Sequence, residues 1–273
     1  MASQRASISA RHLFELLLEI RETKPLVLNV TNFVAMNFTA NSLLALGASP
    51  VMAHSQDEIK EMVSKANSLV VNIGTLDLSW ISNMKFAIHA AKEVACPLVV
   101  DPVGAGATSF RTKTAQELAR LGASVIRGNA SEILAMNGLE ARTRGVDSDL
   151  SSQAGLQSAR DLAEFFHCVV CVSGETDVII EKDRAVFLNN GHPLMARVTA
   201  MGCAASALIG AYLAVEKNMY LATQAAMGTM AVAGEIAATM ARGPGTFQIQ
   251  FLDALYSLKF EDFEERLRFE SDI

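Results

Sequence analysis

Residues 68–101 read SLVVNIGTLDLSWISNMKFAIHAAKEVACPLVVD. Two apolar runs, 68–73 and 97–101, flank a helix-length segment, 79–94. Neither run alternates polar with apolar, as expected of strands buried on both faces, and the segment between them is too long for a hairpin. The stretch is therefore a strand, a crossover helix and a second, parallel strand. The same alternation extends outward in both directions. Toward the N-terminus, Leu13, Phe14, Leu16, Leu17 and Ile20 recur at helical spacing after Ser9 as N-cap, and Pro25 stops that helix. A strand at 26–30, a helix at 35–46 closed by Gly47, a short extended piece at 49–52 and a capping box at Ser55 and Glu58 follow. Toward the C-terminus come a helix at 112–121, a strand at 124–127 and a helix at 130–137. A polar stretch at 145–155, one more helix and a strand at 168–172 come next. Short strands at 177–181 and 185–188 read as a hairpin edge, and 202–240 as two closely packed helices. This is an α/β chain with a mostly parallel central sheet and helices on both faces, expected to form a single domain over 1–273.

Composition narrows the function. Of 273 residues, 51% are hydrophobic and 19% charged, which fits a compact core and not a disordered chain. A formal charge of -6 provides no basic field for nucleic acid or anionic lipid. Four cysteines without zinc-ligand spacing suggest a reducing compartment, and the first residues lack the pattern of a signal peptide, so a cytoplasmic protein is expected. The uncharged stretch 198–215 is rich in Gly, Ala and Ser and reads as a core helix, not a membrane span.

In an open parallel sheet, ligands bind beyond the carboxyl ends of the strands. The residues that follow the apolar runs are Thr31-Asn32, Gly74-Thr75, Asp101-Pro-Val-Gly-Ala-Gly106, Arg127-Gly-Asn-Ala-Ser-Glu132 and Ser173-Gly-Glu175. Each has an ordinary reading as turn or cap chemistry. Asp101, at a strand tip before Pro102, is placed to hold Mg²⁺ directly or through water. Asn129 and Glu132 fit either a helix cap or, through Glu132, the orientation of water on a metal. At 198–206 a small-residue loop opens into an uncharged helix whose first amides and dipole suit a transferring phosphoryl group. Cys203 lies in that first turn, where it is either a thiol activated by the helix terminus or a packing residue. Cys168 and Cys171, three apart on a strand, face opposite sides and read as structural thiols. Met52, at a strand end after Pro50, is placed to line a pocket for a small flat ring. No Gly-x-Ser-x-Gly elbow is present and the five histidines lack metal spacing.

Taken together, the blocks Val30-Thr-Asn32, Phe38-Thr-Ala-Asn-Ser-Leu-Leu-Ala-Leu-Gly-Ala-Ser-Pro-Val-Met52, Asn72-Ile-Gly-Thr75, Asp101-Pro-Val-Gly-Ala-Gly-Ala107, Ile126-Arg-Gly-Asn-Ala-Ser-Glu132, Val172-Ser-Gly-Glu175, Gly202-Cys203 and Gly243-Pro-Gly-Thr-Phe247 resemble the hydroxyethylthiazole kinase family over about 13–256. The resemblance implies a ribokinase-like fold and transfer of the γ-phosphoryl group of ATP to hydroxyethylthiazole, with Mg²⁺ as counter-charge, in thiamine salvage. It implies thiazole contacts at Met52, Asn32 and Ala200, ATP contacts at Arg127 and Ser173, and metal contacts at Asp101 and Glu132. Gly202 and Cys203 would form the anion hole, and a homotrimer would place active sites at subunit interfaces. The family usually reads Gly-Thr-Gly-Cys or Gly-Ala-Gly-Cys at the anion hole, where this chain reads Ala200-Met-Gly-Cys203. A left-handed backbone there would strain Ala200, and Met201 adds bulk. Two alternatives stand beside this reading: a kinase or nucleotide-dependent lyase for another small molecule on the same fold, or a binder of ATP or thiazole without turnover. The turn Arg242-Gly-Pro-Gly245 is expected to border the site.

Overall fold

The computed structural model describes residues 7–138 and 153–271. Most of the polar stretch 145–155 thus lies outside the described residues. The first part of the chain alternates helix and strand: α1 (Ala10–Thr23), β1 (Leu26–Val30), α2 (Met36–Leu46), β2 (Ser49–Val51), α3 (Gln56–Lys65), β3 (Ser68–Asn72), α4 (Leu78–Glu93), β4 (Leu98–Asp101), α5 (Ser109–Arg120), β5 (Val125–Asn129) and α6 (Ala130–Met136). It continues with α7 (Gln153–Phe166), β6 (Val169–Ser173), β7 (Asp177–Glu181), β8 (Arg184–Leu188), a 3-10 turn at Pro193–Arg197, α8 (Met201–Leu213), α9 (Met219–Met240), α10 (Pro244–Ser257), α11 (Phe260–Arg266) and β9 (Phe269–Ser271).

The nine strands among the described residues join one sheet in the order β2-β1-β3-β4-β5-β6-β7-β8-β9. From β2 to β6 neighbouring strands are parallel, and from β6 to β9 they are antiparallel. The apolar runs are buried on both faces because consecutive side chains leave the pleat on opposite sides. Val27, Val70, Val99 and Val125 join the core under α1, α2, α8, α9 and α10. Leu28, Leu69, Val71, Val100 and Ile126 join the other core, under α3 to α7. Cys171 falls in the first core and Cys168 in the second, as expected for positions three apart. Burial pushes the Cys168 thiol up to about 12.

Local chemistry accounts for the helix bounds. Ser9, Asp77 and Thr108 accept from backbone amides in the first turns of α1, α4 and α5. Because Thr108 is the cap, α5 starts at Ser109, before the expected 112. The chain enters a left-handed conformation at Lys24, just before Pro25, and α1 ends there. Ser55 caps α3 through the Asp57 amide, whereas the reciprocal box forms at Asn129 and Glu132. Helix α8 packs on β1, β3 and β4. A Cβ at Gly210 would lie 2.8 Å from Val70 Cγ2, so glycine lets this helix settle directly on the sheet. The buried Tyr212 hydroxyl pairs with Thr229 Oγ1 at 2.6 Å and locks α8 to α9. The expected turn at Arg242-Gly-Pro-Gly245 is instead the start of α10, with Gly243 as N-cap and Pro244 at its first position.

Candidate active site

The parallel strands deliver their last residues to one edge of the sheet, and α8 points its N-terminus at that edge from β1, β3 and β4, on which it packs. Adjacent register places Asn72 beside Asp101 and Asn129 beside Ser173. A continuous side-chain network results. Asn32 Nδ2 donates to Asn72 Oδ1 at 2.8 Å and contacts Cys203 Sγ at 3.5 Å. Asn72 Nδ2 donates to Asp101 Oδ2 at 2.7 Å, and Ser206 Oγ donates to the same oxygen at 2.8 Å. Asn72 Oδ1 also accepts from the Gly74 amide at 3.0 Å, while Asn32 Oδ1 accepts from the Ala35 amide and so sets the start of α2.

Asp101 is fully buried, and its Oδ1 has no hydrogen-bond partner. Burial raises its carboxyl to about 7; Glu132 pushes the same way, and Arg127, Ser206 and Asn72 pull against it. Glu132 carries out the capping function: Oε2 accepts from the Asn129 amide and Asn129 Oδ1 accepts from the Glu132 amide. It also reaches across, Oε1 accepting from the Gly104 amide at 2.8 Å, and so ties the 102–106 loop to β5. Among the described residues no group of three or more His, Cys, Asp or Glu side chains could by itself hold a metal.

Arg127 Nη2 donates to Ser173 Oγ at 2.5 Å, joining β5 to β6. Desolvation opposes the arginine's charge, but Asp101, Cys171, Glu132 and Asp177 outweigh it and the guanidinium stays protonated. A Cβ at position 202 would lie 2.6 Å from Arg127 Nη1, so Gly202 is what admits the guanidinium to the first turn of α8. Arg127, Ser173 and Gly202 border one cavity of about 1010 Å³, closed on its apolar side by Met195, Met227 and Met230. Ala200 adopts φ 65°, ψ 5°, the left-handed region, which is the condition under which alanine in place of glycine is strained.

Cys203 stood open between an activated thiol and a packing residue; burial first, and then the charge of Asp101, push the thiol up to about 11, in the direction of the packing reading. Met52 follows β2, the outermost parallel strand, partly buried, and does not line the cavity that joins Arg127, Ser173 and Gly202; neither does the 242–245 segment. The sequence reading also gave no role to Asn72, Ser206 or Asp177. Asn72 carried a signal, a polar residue at the tip of an apolar strand. Ser206 and Asp177 carried none until the fold brought them to this edge.

A charged arginine at an open helix terminus, between strand ends that hold two acidic side chains, is a phosphate-handling arrangement. Comparison with known proteins gives it a family. The Hydroxyethylthiazole kinase family model matches residues 17–261. The chain belongs to the hydroxyethylthiazole kinase family. A hydroxyethylthiazole kinase from Syntrophus aciditrophicus is 54% identical over 252 residues, covering 91% of this chain and 93% of that protein. The solved structure of a hydroxyethylthiazole kinase from Pyrococcus horikoshii has a TM-score of 0.89 at 39% identity and covers 96% of this chain and 100% of its own. A ribokinase-like superfamily protein from Enterococcus faecalis, at 11% identity and TM-score 0.66 over 93% of this chain and 97% of its own, shares the fold. The hydroxyethylthiazole kinase fold is therefore ribokinase-like here, as the resemblance implied. No helix among the described residues is long and apolar enough to cross a membrane.

Proposed function

We propose that this member of the hydroxyethylthiazole kinase family transfers the γ-phosphoryl group of ATP to the hydroxyl of 4-methyl-5-(2-hydroxyethyl)thiazole, giving the thiazole phosphate used in thiamine biosynthesis. The observation that carries the reading is the juxtaposition of Arg127, Ser173 and the N-terminus of α8 in one cavity beside the Asn32–Asn72–Asp101 network. Arg127 and Ser173 take the ATP phosphates. Asn32, Met52 and the Ala200 backbone hold the thiazole, whose alcohol oxygen forms a bond to the γ-phosphorus as the bridging oxygen of ADP departs and the alcohol proton passes to an oxygen of the transferring phosphoryl group. The amides of Gly202 and Cys203 receive the charge that gathers on the transferring oxygens. Positioning and charge stabilisation carry most of the rate in this chemistry, so a neutral Cys203 at the acceptor end serves without acting as a thiolate base.

The residues fit Mg²⁺: the buried, unpartnered Asp101 Oδ1, under pressure from the Glu132 charge, leaves a position where a cation would relieve both carboxylates. Asp101 and Glu132 would hold the ion together with phosphate oxygens, and bound Mg²⁺ would neutralise phosphate charge. The same reading makes the protein a cytoplasmic homotrimer. The four cysteines, all free, support the compartment. Phe33, Val34 and Leu78, exposed at the exits of β1 and toward α4 on the acceptor side, supply apolar surface for a neighbouring subunit.

Purified protein with Mg²⁺, ATP and the thiazole tests the reaction, with ADP and thiazole phosphate followed together by mass spectrometry. Equal appearance of both is expected. ADP without thiazole phosphate, or neither product, rejects the reading. Sedimentation of the same sample at one times the 29.3 kDa chain mass, not three times, rejects the trimer.

A further inference from the structure

The cavity that receives Arg127 and Ser173 also contains a carboxylate for which the phosphoryl transfer has no evident use. Asp177, the first residue of β7, is 8% exposed and lines that cavity. Its Oδ1 accepts from the Gly174 amide at 3.0 Å and so closes the turn from β6 into β7. That turn begins with Ser173, whose hydroxyl accepts from Arg127 Nη2, and its far side is held by Thr176 Oγ1 donating to Asn189 Oδ1 at 2.9 Å. Asp177 is also one of the negative charges that keep the Arg127 guanidinium protonated. An acidic side chain in an anion-binding cavity works against its ligand unless it performs a compensating task.

We infer that Asp177 is a positioning residue for the nucleotide: its hydrogen bond to Gly174 sets the 173–176 turn, the turn sets Ser173 Oγ, and Ser173 orients the guanidinium of Arg127 toward the phosphates. The inference rests on the assignment of this cavity to ATP. It extends that assignment to a residue that acts through Ser173 and Arg127. The acting feature is the acceptor oxygen at Oδ1, so an amide at this position should serve as well as a carboxylate.

The test uses the full chain and reads ADP affinity by calorimetry with Mg²⁺ present, alongside KM for ATP and for the thiazole. Asp177→Ala should weaken ADP binding and raise KM for ATP roughly tenfold or more, the scale of one lost hydrogen bond to a ligand-orienting group, with KM for the thiazole unchanged. Asp177→Asn, which keeps the acceptor, should stay within about threefold of the wild type. Unchanged ADP affinity in Asp177→Ala overturns the inference, as does a loss shared equally by ATP and thiazole. A tenfold loss in Asp177→Asn also overturns it, and that arm remains decisive if the alanine variant does not fold. Wild-type protein that fails to bind ADP would instead remove the nucleotide assignment itself.

Discussion

At Ala200 the backbone sits at φ 65°, where a side chain costs roughly 1–2 kcal/mol that glycine avoids. Its amide and carbonyl are nevertheless in place, since the Ala204 amide bonds to the Ala200 carbonyl at 2.9 Å and α8 starts normally. Ala200→Gly should therefore raise unfolding stability by about 1 kcal/mol in a urea titration and change turnover by less than tenfold. A gain of several orders of magnitude in kcat would show that the native methyl group obstructs the reaction. Two residues on, the demand reverses. Gly202→Ala drives a methyl group into Arg127 Nη1, and the guanidinium must leave the first turn of α8. We expect kcat/KM for ATP to fall by on the order of 10²-fold or more, measured at limiting ATP, while the protein remains folded.

At the level of elements, the site depends on loops fastened to one another. Arg111, from α5, donates through Nη1 to the carbonyls of Ile73 and Val103 at 2.9 and 2.8 Å, and through Nη2 to that of Gly74 at 2.9 Å. One guanidinium thus joins the exits of β3 and β4, the strands that end in Asn72 and Asp101. Arg111→Ala should cost about 2 kcal/mol by chemical denaturation, because three carbonyls lose a charged donor, and should lower kcat by slackening the Asn72–Asp101 pair. An unchanged denaturation midpoint would contradict this account of the loops. The 102–106 loop is fastened independently, by Glu132 to the Gly104 amide.

Across the whole molecule, a buried carboxylate links site to stability through pH. Burial raises the Asp177 carboxyl from 3.8 to about 6, against the Gly174 hydrogen bond and the Arg127 charge, while the nearby Cys171 thiol is itself driven up by burial. The folded state then binds more protons than the unfolded state between those two values, so Asp177's contribution to stability is complete below about pH 4 and is lost as pH rises through about 6. Stability of Asp177→Asn relative to wild type should accordingly increase between pH 4 and pH 7, by on the order of 1–2 kcal/mol. Equal pH dependence in the two proteins would show that burial does not raise the Asp177 carboxyl. The same whole-molecule view explains the C-terminal elements. Arg268, just before β9, hydrogen-bonds Glu235 of α9, and its amide donates to Asn190 Oδ1 at 2.7 Å, so the chain end closes over the loop beside the cavity.

The parallel sheet was legible in the linear chain because strands buried on both faces must be apolar without alternation, and 26–30, 68–73, 97–101 and 168–172 meet that demand locally. The polar residues at their tips, Asn32, Asp101, Arg127 and Ser173, were legible for the same reason, since a polar residue that ends an apolar run marks the sheet edge. Three-residue β9 was not legible, because its pairing with β8 joins residues far apart along the chain, such as Val186 and Ser271. Nor was the state of Cys203: the sequence left it open between a thiol activated by the helix terminus and a packing residue, and burial and the charge of Asp101 raise it. Hydrophobic patterning depends on neighbours along the chain and can be read there. Desolvation, hydrogen-bond partners and charge depend on neighbours in space, which is why the tips were visible one by one while the network they form, with Asn72, Ser206 and Asp177 in it, was decided by the tertiary structure.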